Sequence, residues 1–164
     1  MSNKILFVDD DANLLAGCQR TLRKDFTIDT ALGGEQALAL IEQHGPYAVV
    51  VADMQMPGMN GIQFLIKVEE GAPETIRIML TGNADQKTAR DAVNQGHIFR
   101  FLTKPCPPEE LALALKAGLR QHALVTAERD LLERTLNGGV KMLTDILSML
   151  DPNSFGQRQR LREY

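Results

Sequence analysis

Tyr47-Ala48-Val49-Val50-Val51-Ala52 is an unbroken apolar run, rich in β-branched residues, that stops at Asp53. A strand buried on both faces of a parallel sheet needs such a run, whereas a half-exposed strand alternates polar with apolar. Three further segments end the same way: Ile5-Leu6-Phe7-Val8 before Asp9 and Asp10, Ile76-Arg77-Ile78-Met79-Leu80 before Thr81, and Phe99-Arg100-Phe101-Leu102-Thr103 before Lys104. In an open parallel sheet the carboxyl ends of all strands lie along one edge, so these polar groups are expected to meet in one crevice. Three carboxylates, a hydroxyl and an ammonium assembled there suit a magnesium-dependent phosphate site.

Between these strands the apolar spacing changes to that of helices. Leu14, Leu15, Cys18 and Leu22 share a face after Asp9-Asp10-Asp11, and Phe26 to Thr30 reads as a short second strand. Ala37, Leu38 and Ile41 mark a helix closed by Gly45-Pro46, and Ile62, Leu65, Ile66 and Val68 mark another after the loop from Met54 to Gly61. A helix from about Asp85 to Gln95 precedes the last strand. Five βα units predict an α/β fold, a doubly wound five-stranded parallel sheet with right-handed crossovers.

After Pro107-Pro108 the pattern changes. From Glu109 to about Leu136 there is no proline and only Gly118 among glycines, which predicts an extended C-terminal helix. Leu111, Leu115 and Leu119 are expected to cover the sheet. Farther on, Leu124 with Leu131 and Val125 with Leu132 repeat at heptad spacing. Asn137-Gly138-Gly139 reads as a stop, followed by a short additional helix with Val140, Leu143, Ile146, Leu147 and Leu150 on one stripe, ended by Asp151-Pro152. The expected organisation is one domain over residues 1–122 and a helical linker over 123–164. So many exposed apolar groups ask for cover, and a two-fold homodimer through these helices is expected.

Composition narrows the function class. The chain of 164 residues, 44% hydrophobic, supports one core and an appendage. A formal net charge of -3 with both signs mixed gives no electrostatic case for nucleic acid or membrane as partner, and Arg158, Arg160 and Arg162 read as a solvated or frayed tail. Cys18 and Cys106 form no CxxC pair, and Met1-Ser2-Asn3-Lys4 precedes only four apolar residues, far short of a secretory leader or of the roughly 20 that span a bilayer. Reduced thiols and a cytoplasmic location are the expectation. His44, His97 and His122 show no metal-ligand spacing; they read as a helix-end, a structural and a helix-face residue.

Asp9-Asp10, Asp53 within Asp-x-x-Met-Pro-Gly-Met-Asn-Gly, Thr81-Gly82 and Lys104-Pro105 stand in an order and spacing that closely resembles the receiver domains of two-component response regulators, over about residues 3–122. The resemblance implies a flavodoxin-like strand order 2-1-3-4-5. It implies that Asp53 accepts a phosphoryl group from a histidine of a sensor kinase or phosphotransfer protein. Mg²⁺ would be held by Asp10, Asp53 and the backbone carbonyl of Gln55, with Asp9 ligating directly or through water. Lys104 and Thr81 would hold phosphate oxygens, and Phe101 would occupy the aromatic switch position. Gln55 and Asn83, each two residues past a site residue, would line the path of the hydrolytic water.

The residues support this chemistry independently. A carboxylate nucleophile approaching an anionic phosphoryl group is repelled unless a cation lies between them. Each residue also has a plainer reading: an Asp before a helix is a cap, Asp53 a strand end, Phe101 a core aromatic. Three consecutive aspartates exceed what capping requires, and Asp11 is the best placed to cap. A phosphorylation-controlled switch, with no catalytic turnover of its own, is therefore expected. The alternative, a Mg²⁺-dependent phosphatase working through phospho-aspartate, needs a general acid two residues past the nucleophile, where the amide Gln55 stands. The segment from Leu131 to Arg162 resembles the lead-in between receivers and HD-type phosphohydrolase domains. No His-Asp dipeptide occurs, so the chain reads as a truncated regulator with that catalytic site outside it. A DNA-binding output is a further alternative, although no helix-turn-helix with a basic recognition face is present.

Overall fold

The computed structural model describes residues 3–82, 86–95 and 98–150. Strands and helices alternate: β1 (Lys4–Asp9), α1 (Ala12–Leu22), β2 (Thr27–Leu32), α2 (Gly34–His44), β3 (Val49–Asp53), α3 (Gly61–Gly71), β4 (Ile76–Thr81), α4 (Gln86–Asn94), β5 (Arg100–Thr103) and α5 (Pro108–Leu150). Every pairing is parallel and the sheet order is β2-β1-β3-β4-β5, the doubly wound flavodoxin-like arrangement. The edge strand β2 is displaced from its expected bounds, starting at Thr27 and reaching Leu32. The expectations for Asn83 and His97, and for Asp151-Pro152 and the tail arginines, fall outside the described residues.

Strand parity sorts the core into two layers. Ile5 and Phe7 of β1, Val49 and Val51 of β3, and Ile78 and Leu80 of β4 pack with Leu15 and Leu22 of α1 and with Leu111, Ala114 and Leu115 of α5. Leu6, Val8, Val50, Ala52 and Met79 face the other way, among Ala37 of α2, Phe64 and Leu65 of α3, and Ala92 of α4. Successive strand residues point to opposite faces, so a central strand has no position left for a polar side chain. Val49, Val50, Val51 and Ala52 are accordingly wholly buried. Each large side chain so buried contributes about 1.5–3 kcal/mol.

Contacts divide the chain into two units, Met1–Val125 and Thr126–Tyr164. The first holds the sheet and its helices. In the second, the described residues belong to α5, and Leu132, Leu136, Val140, Leu143 and Ile146 are exposed. No described helix is long and apolar enough to cross a membrane.

Asn137-Gly138-Gly139 does not stop the helix, and the separate short helix expected after it does not exist: α5 continues to Leu150. A glycine stop requires a left-handed residue, and among the described residues positive φ occurs only at Gly33 and Gly58. Two helical glycines cost about 1 kcal/mol each relative to alanine, whereas ending one helix and starting another requires a second unfavourable nucleation. Propagation wins.

One glycine positions the site. Asn60 caps α3, accepting from the Gln63 N–H while the Gln63 side chain accepts from the Asn60 N–H, a reciprocal capping box. The next residue, Gly61, donates its N–H to the Met54 carbonyl at 2.8 Å, and a Cβ there would lie 2.4 Å from the Asp53 carbonyl oxygen. The start of α3 is pressed against the end of β3 so closely that only glycine fits. Gly61→Ala should therefore lower stability by about 1–3 kcal/mol, read as a shift in the urea midpoint. Gly138→Ala should act oppositely, since a Cβ there meets nothing within 4 Å. It should strengthen α5 by about 1 kcal/mol, read by slower amide exchange in the turns around it.

Candidate functional site

Strand register assembles the site. Val8 lies opposite Ala52, so the residues that follow, Asp9 and Asp53, end neighbouring strands side by side. Asp53 pairs with Leu80 and Thr81 with Thr103. The Lys104 N–H donates to the Thr81 carbonyl at 2.8 Å, extending the β4–β5 ladder by one bond. Residues distant in sequence thus share the carboxyl edge of the sheet.

At that edge Lys104 Nζ lies 3.0 Å from Asp53 Oδ1 and 3.2 Å from Asp9 Oδ2. One oxygen from each of Asp9, Asp10 and Asp53 falls within 4.8 Å of the others. Asp9 and Asp53 are buried and Asp10 is exposed. Asp9 Oδ1 accepts the Asp11 N–H at 3.0 Å, while the Asp11 carboxylate caps α1 by accepting from the Asn13 and Leu14 N–H groups. The three consecutive aspartates therefore occupy different surroundings: one faces the lysine, one the solvent, one the helix end.

Burial pushes the Asp9 carboxyl above its ordinary range; the Asp11 N–H opposes this, and the neighbouring Asp10 and Asp53 carboxyls reinforce it. Burial also works against the Lys104 ammonium, but its bonds and charge interactions with Asp53 and Asp9 outweigh that and raise its pKa. The lysine stays charged. Among the described residues, three carboxyl groups face one ammonium here, a formal excess of two negative charges. Like charges about 4 Å apart repel by about 4 kcal/mol at an effective dielectric of 20. The donor set is oxygen alone, two members buried and one open to solvent, which fits a hard divalent cation such as Mg²⁺. Receiver domains as a family bind Mg²⁺ in an acidic pocket of this kind.

An open cleft of about 530 Å³ adjoins the acidic group, lined by Asp10, Met54, Gln55, Met56, Pro57 and Asn60. Gln55 is one of the residues that line this cleft. Thr81 is fully buried, and its hydroxyl donates to the Gly82 carbonyl at 3.1 Å. Phe101 is half-buried against the core layer that contains Met79, its partner in the β4–β5 register. The structure therefore gathers Asp9, Asp10, Asp53 and Lys104 directly, ties Thr81 to them through the backbone, and sets Phe101 half-buried against the core. Sequence reading passed over Asn60 and Gln63, although their three-residue spacing is the capping-box signature. His122 is structural: it is buried, and its Nδ1 bonds the Glu74 carbonyl at 2.9 Å. Cys18 and Cys106 are free thiols.

Comparison with known proteins identifies the family. Residues 5–116 match the family model of the response regulator receiver domain. The chain is 32% identical over 127 residues to the hydrogenase transcriptional regulatory protein HoxA of Cupriavidus necator, covering 76% of this chain and 26% of that protein. It is 33% identical over 130 residues to the transcriptional regulatory protein SrrA of Staphylococcus aureus, covering 79% of this chain and 53% of that protein. The chain thus spans about a quarter and about half the length of these curated relatives. Among solved structures, an adenylate cyclase from Rhodopirellula baltica is 43% identical with a TM-score of 0.79, over 81% of this chain and 98% of that one. The signal receiver domain of an HD domain-containing protein from Pseudomonas fluorescens Pf-5 is 34% identical with a TM-score of 0.68, over 75% of this chain and 99% of that one. The matched residues take in the strands, the acidic edge and the lysine that bridges it, and the chain belongs to the family of response regulator receiver domains.

Proposed function

We propose that the chain is a phosphorylation-activated switch of a two-component system in which Asp53 accepts the phosphoryl group. The carrying observation is the placement of Asp53: a buried strand-end carboxylate with two acidic neighbours and a lysine at 3.0 Å. An Asp53 oxygen attacks phosphorus of a phosphohistidine on a sensor kinase or phosphotransfer protein. The P–N bond breaks, and the imidazole, protonated on its other nitrogen, takes the electron pair and leaves neutral. Asp9, Asp10, Asp53 and the Gln55 carbonyl are the groups proposed to hold Mg²⁺, which when bound offsets the negative charge between carboxylate and phosphoryl oxygens. Lys104 transfers its contact from carboxylate to phosphoryl oxygen. Thr81 turns its hydroxyl from the Gly82 carbonyl toward the new anion, and Phe101 follows into the space vacated.

We further propose residues 1–122 as the receiver and 123–164 as a helical linker that passes the state through α5, with a second copy of the chain as partner, to an HD-type phosphohydrolase output. Support for that output is the segment from Leu131 to Arg162 and the likeness to the receiver of the Pseudomonas HD domain-containing protein. A DNA-binding output is the second reading, favoured by the names of HoxA and SrrA as transcriptional regulators. Reading the gene past the Tyr164 codon separates them: an HD-type His-Asp pair supports the first, a basic recognition helix the second. Cytoplasmic location belongs to the same proposal.

Treatment with acetyl phosphate and Mg²⁺ should add one phosphoryl group by intact mass, and Asp53→Asn should abolish it. An adduct that persists in Asp53→Asn would move the acceptor elsewhere. Asp10→Ala should lose Mg²⁺ affinity in titration. Asp11→Ala should keep it while losing about 1 kcal/mol of stability through its helix cap, and equal loss of affinity in both variants would mean the metal ligands are wrongly assigned.

A further inference from the structure

Beyond Val125 the described residues are helical, and their polar and apolar members sort by the heptad. Leu132, Leu136, Gly139, Leu143 and Ile146 follow one another at alternating spacings of four and three, the seam of a coiled coil. Val140, Met142, Leu147 and Met149 flank that seam on both sides, and every polar residue from Asn137 to Ser148 lies at the three outer heptad positions. The seam is bare: Leu136 is 67% exposed, Leu143 63% and Ile146 44%.

Area and charge point to the occupant. Eight large apolar side chains between Leu132 and Met149 are exposed. At roughly 100 Å² apiece, two copies bring together about 1,600 Å², the size of a standard stable interface. Charge is segregated along the same stretch: Glu128, Arg129, Asp130, Glu133 and Arg134 crowd its first part, whereas only Lys141 and Asp145 occur between Leu136 and Met149. A fully overlapped antiparallel pair would set the charged half of one helix against the apolar half of the other. A parallel pair matches apolar with apolar.

We propose that a second copy of this chain covers this face, in parallel and in register, with Leu132, Leu136, Leu143 and Ile146 forming the seam. This gives a definite geometry to the self-association named above, and it rests on the switch reading only for its role in signalling. These side chains are already exposed in the unmodified chain, so the pair is expected without phosphorylation.

Sedimentation equilibrium of the full chain at tens of micromolar should give a dimer. Leu143→Glu and Ile146→Glu should weaken it by roughly ten-fold or more. Both positions are exposed in the single chain, so the receiver should stay folded. Labelling of Asp53 by acetyl phosphate in the same variants reports on the receiver separately, and its failure would count against the switch reading without touching the dimer. For orientation, Leu132→Cys on a Cys18→Ser, Cys106→Ser background should form an intermolecular disulfide under mild oxidation, because only a parallel register brings the two copies of residue 132 together. A monomeric full chain overturns the proposal, as does a dimer indifferent to both glutamates. A higher oligomer overturns the two-copy form, and absence of the disulfide in a proven dimer overturns the parallel register.

Discussion

Asp9 and Asp53 end adjacent strands as buried carboxylates, and Lys104 bridges them at 3.2 and 3.0 Å. Without that ammonium, neighbouring acids would repel by about 4 kcal/mol per pair at an effective dielectric of 20. That is a large part of the 5–15 kcal/mol by which a domain is typically stable. Whatever places Lys104 therefore sustains the whole edge: the pairing of β5 with β4 and the single backbone bond from Lys104 to Thr81. One lysine cannot balance three acids, so the edge keeps an appetite for a further cation. The start of α3 presses against the Asp53 main chain at Gly61 and so fixes the end of β3 from which the carboxylate projects.

The magnitudes also bear on how such a site would switch. A neutral hydrogen bond such as that from Thr81 to the Gly82 carbonyl is worth about 1 kcal/mol net, whereas a bond to a charged acceptor is worth about 1.5–3 kcal/mol. On the proposed mechanism, turning the hydroxyl to a phosphoryl oxygen gains about 1 kcal/mol, roughly a five-fold shift between two states. That is a bias and not a lock. Additional drive would come from the packing of half-buried Phe101, which has further surface to bury.

How much of this was legible beforehand depends on the kind of signal. β1, β3 and β4 were legible because full burial on two faces leaves only apolar residues, and the site because each strand ends on a polar group. Asp11 was legible as the cap, since its offset from the first helical turn allows nothing else. The edge strand β2 was read short at one end, because a strand covered on fewer sides carries a mixed pattern: Thr27 and Leu32 are exposed and Ile28 and Ala31 buried. The direction of the Thr81 hydroxyl was not legible, because a rotor chooses its acceptor in three dimensions. The largest error, the stop at Asn137-Gly138-Gly139, came from reading local propensity alone. Glycine permits a stop, but a stop also needs a left-handed residue and a second nucleation, and neither is visible in the residue types.

Those glycines remain the thermodynamic weak point of α5. Each costs about 1 kcal/mol relative to alanine in a helix interior, and Asn137 adds a poor helix former beside them. Val140 to Ile146 has no described cover beyond the helix itself. Away from its frayed end, a solitary helix would therefore open most readily at 137–139. Pairing along the proposed seam changes that, because Leu136 and Leu143 stand on either side of the glycines and cannot both reach a partner helix unless the turn between them is formed. Helix continuity and association then become one equilibrium, in which anything that loosens the seam also releases the turn and anything that stiffens the turn tightens the seam.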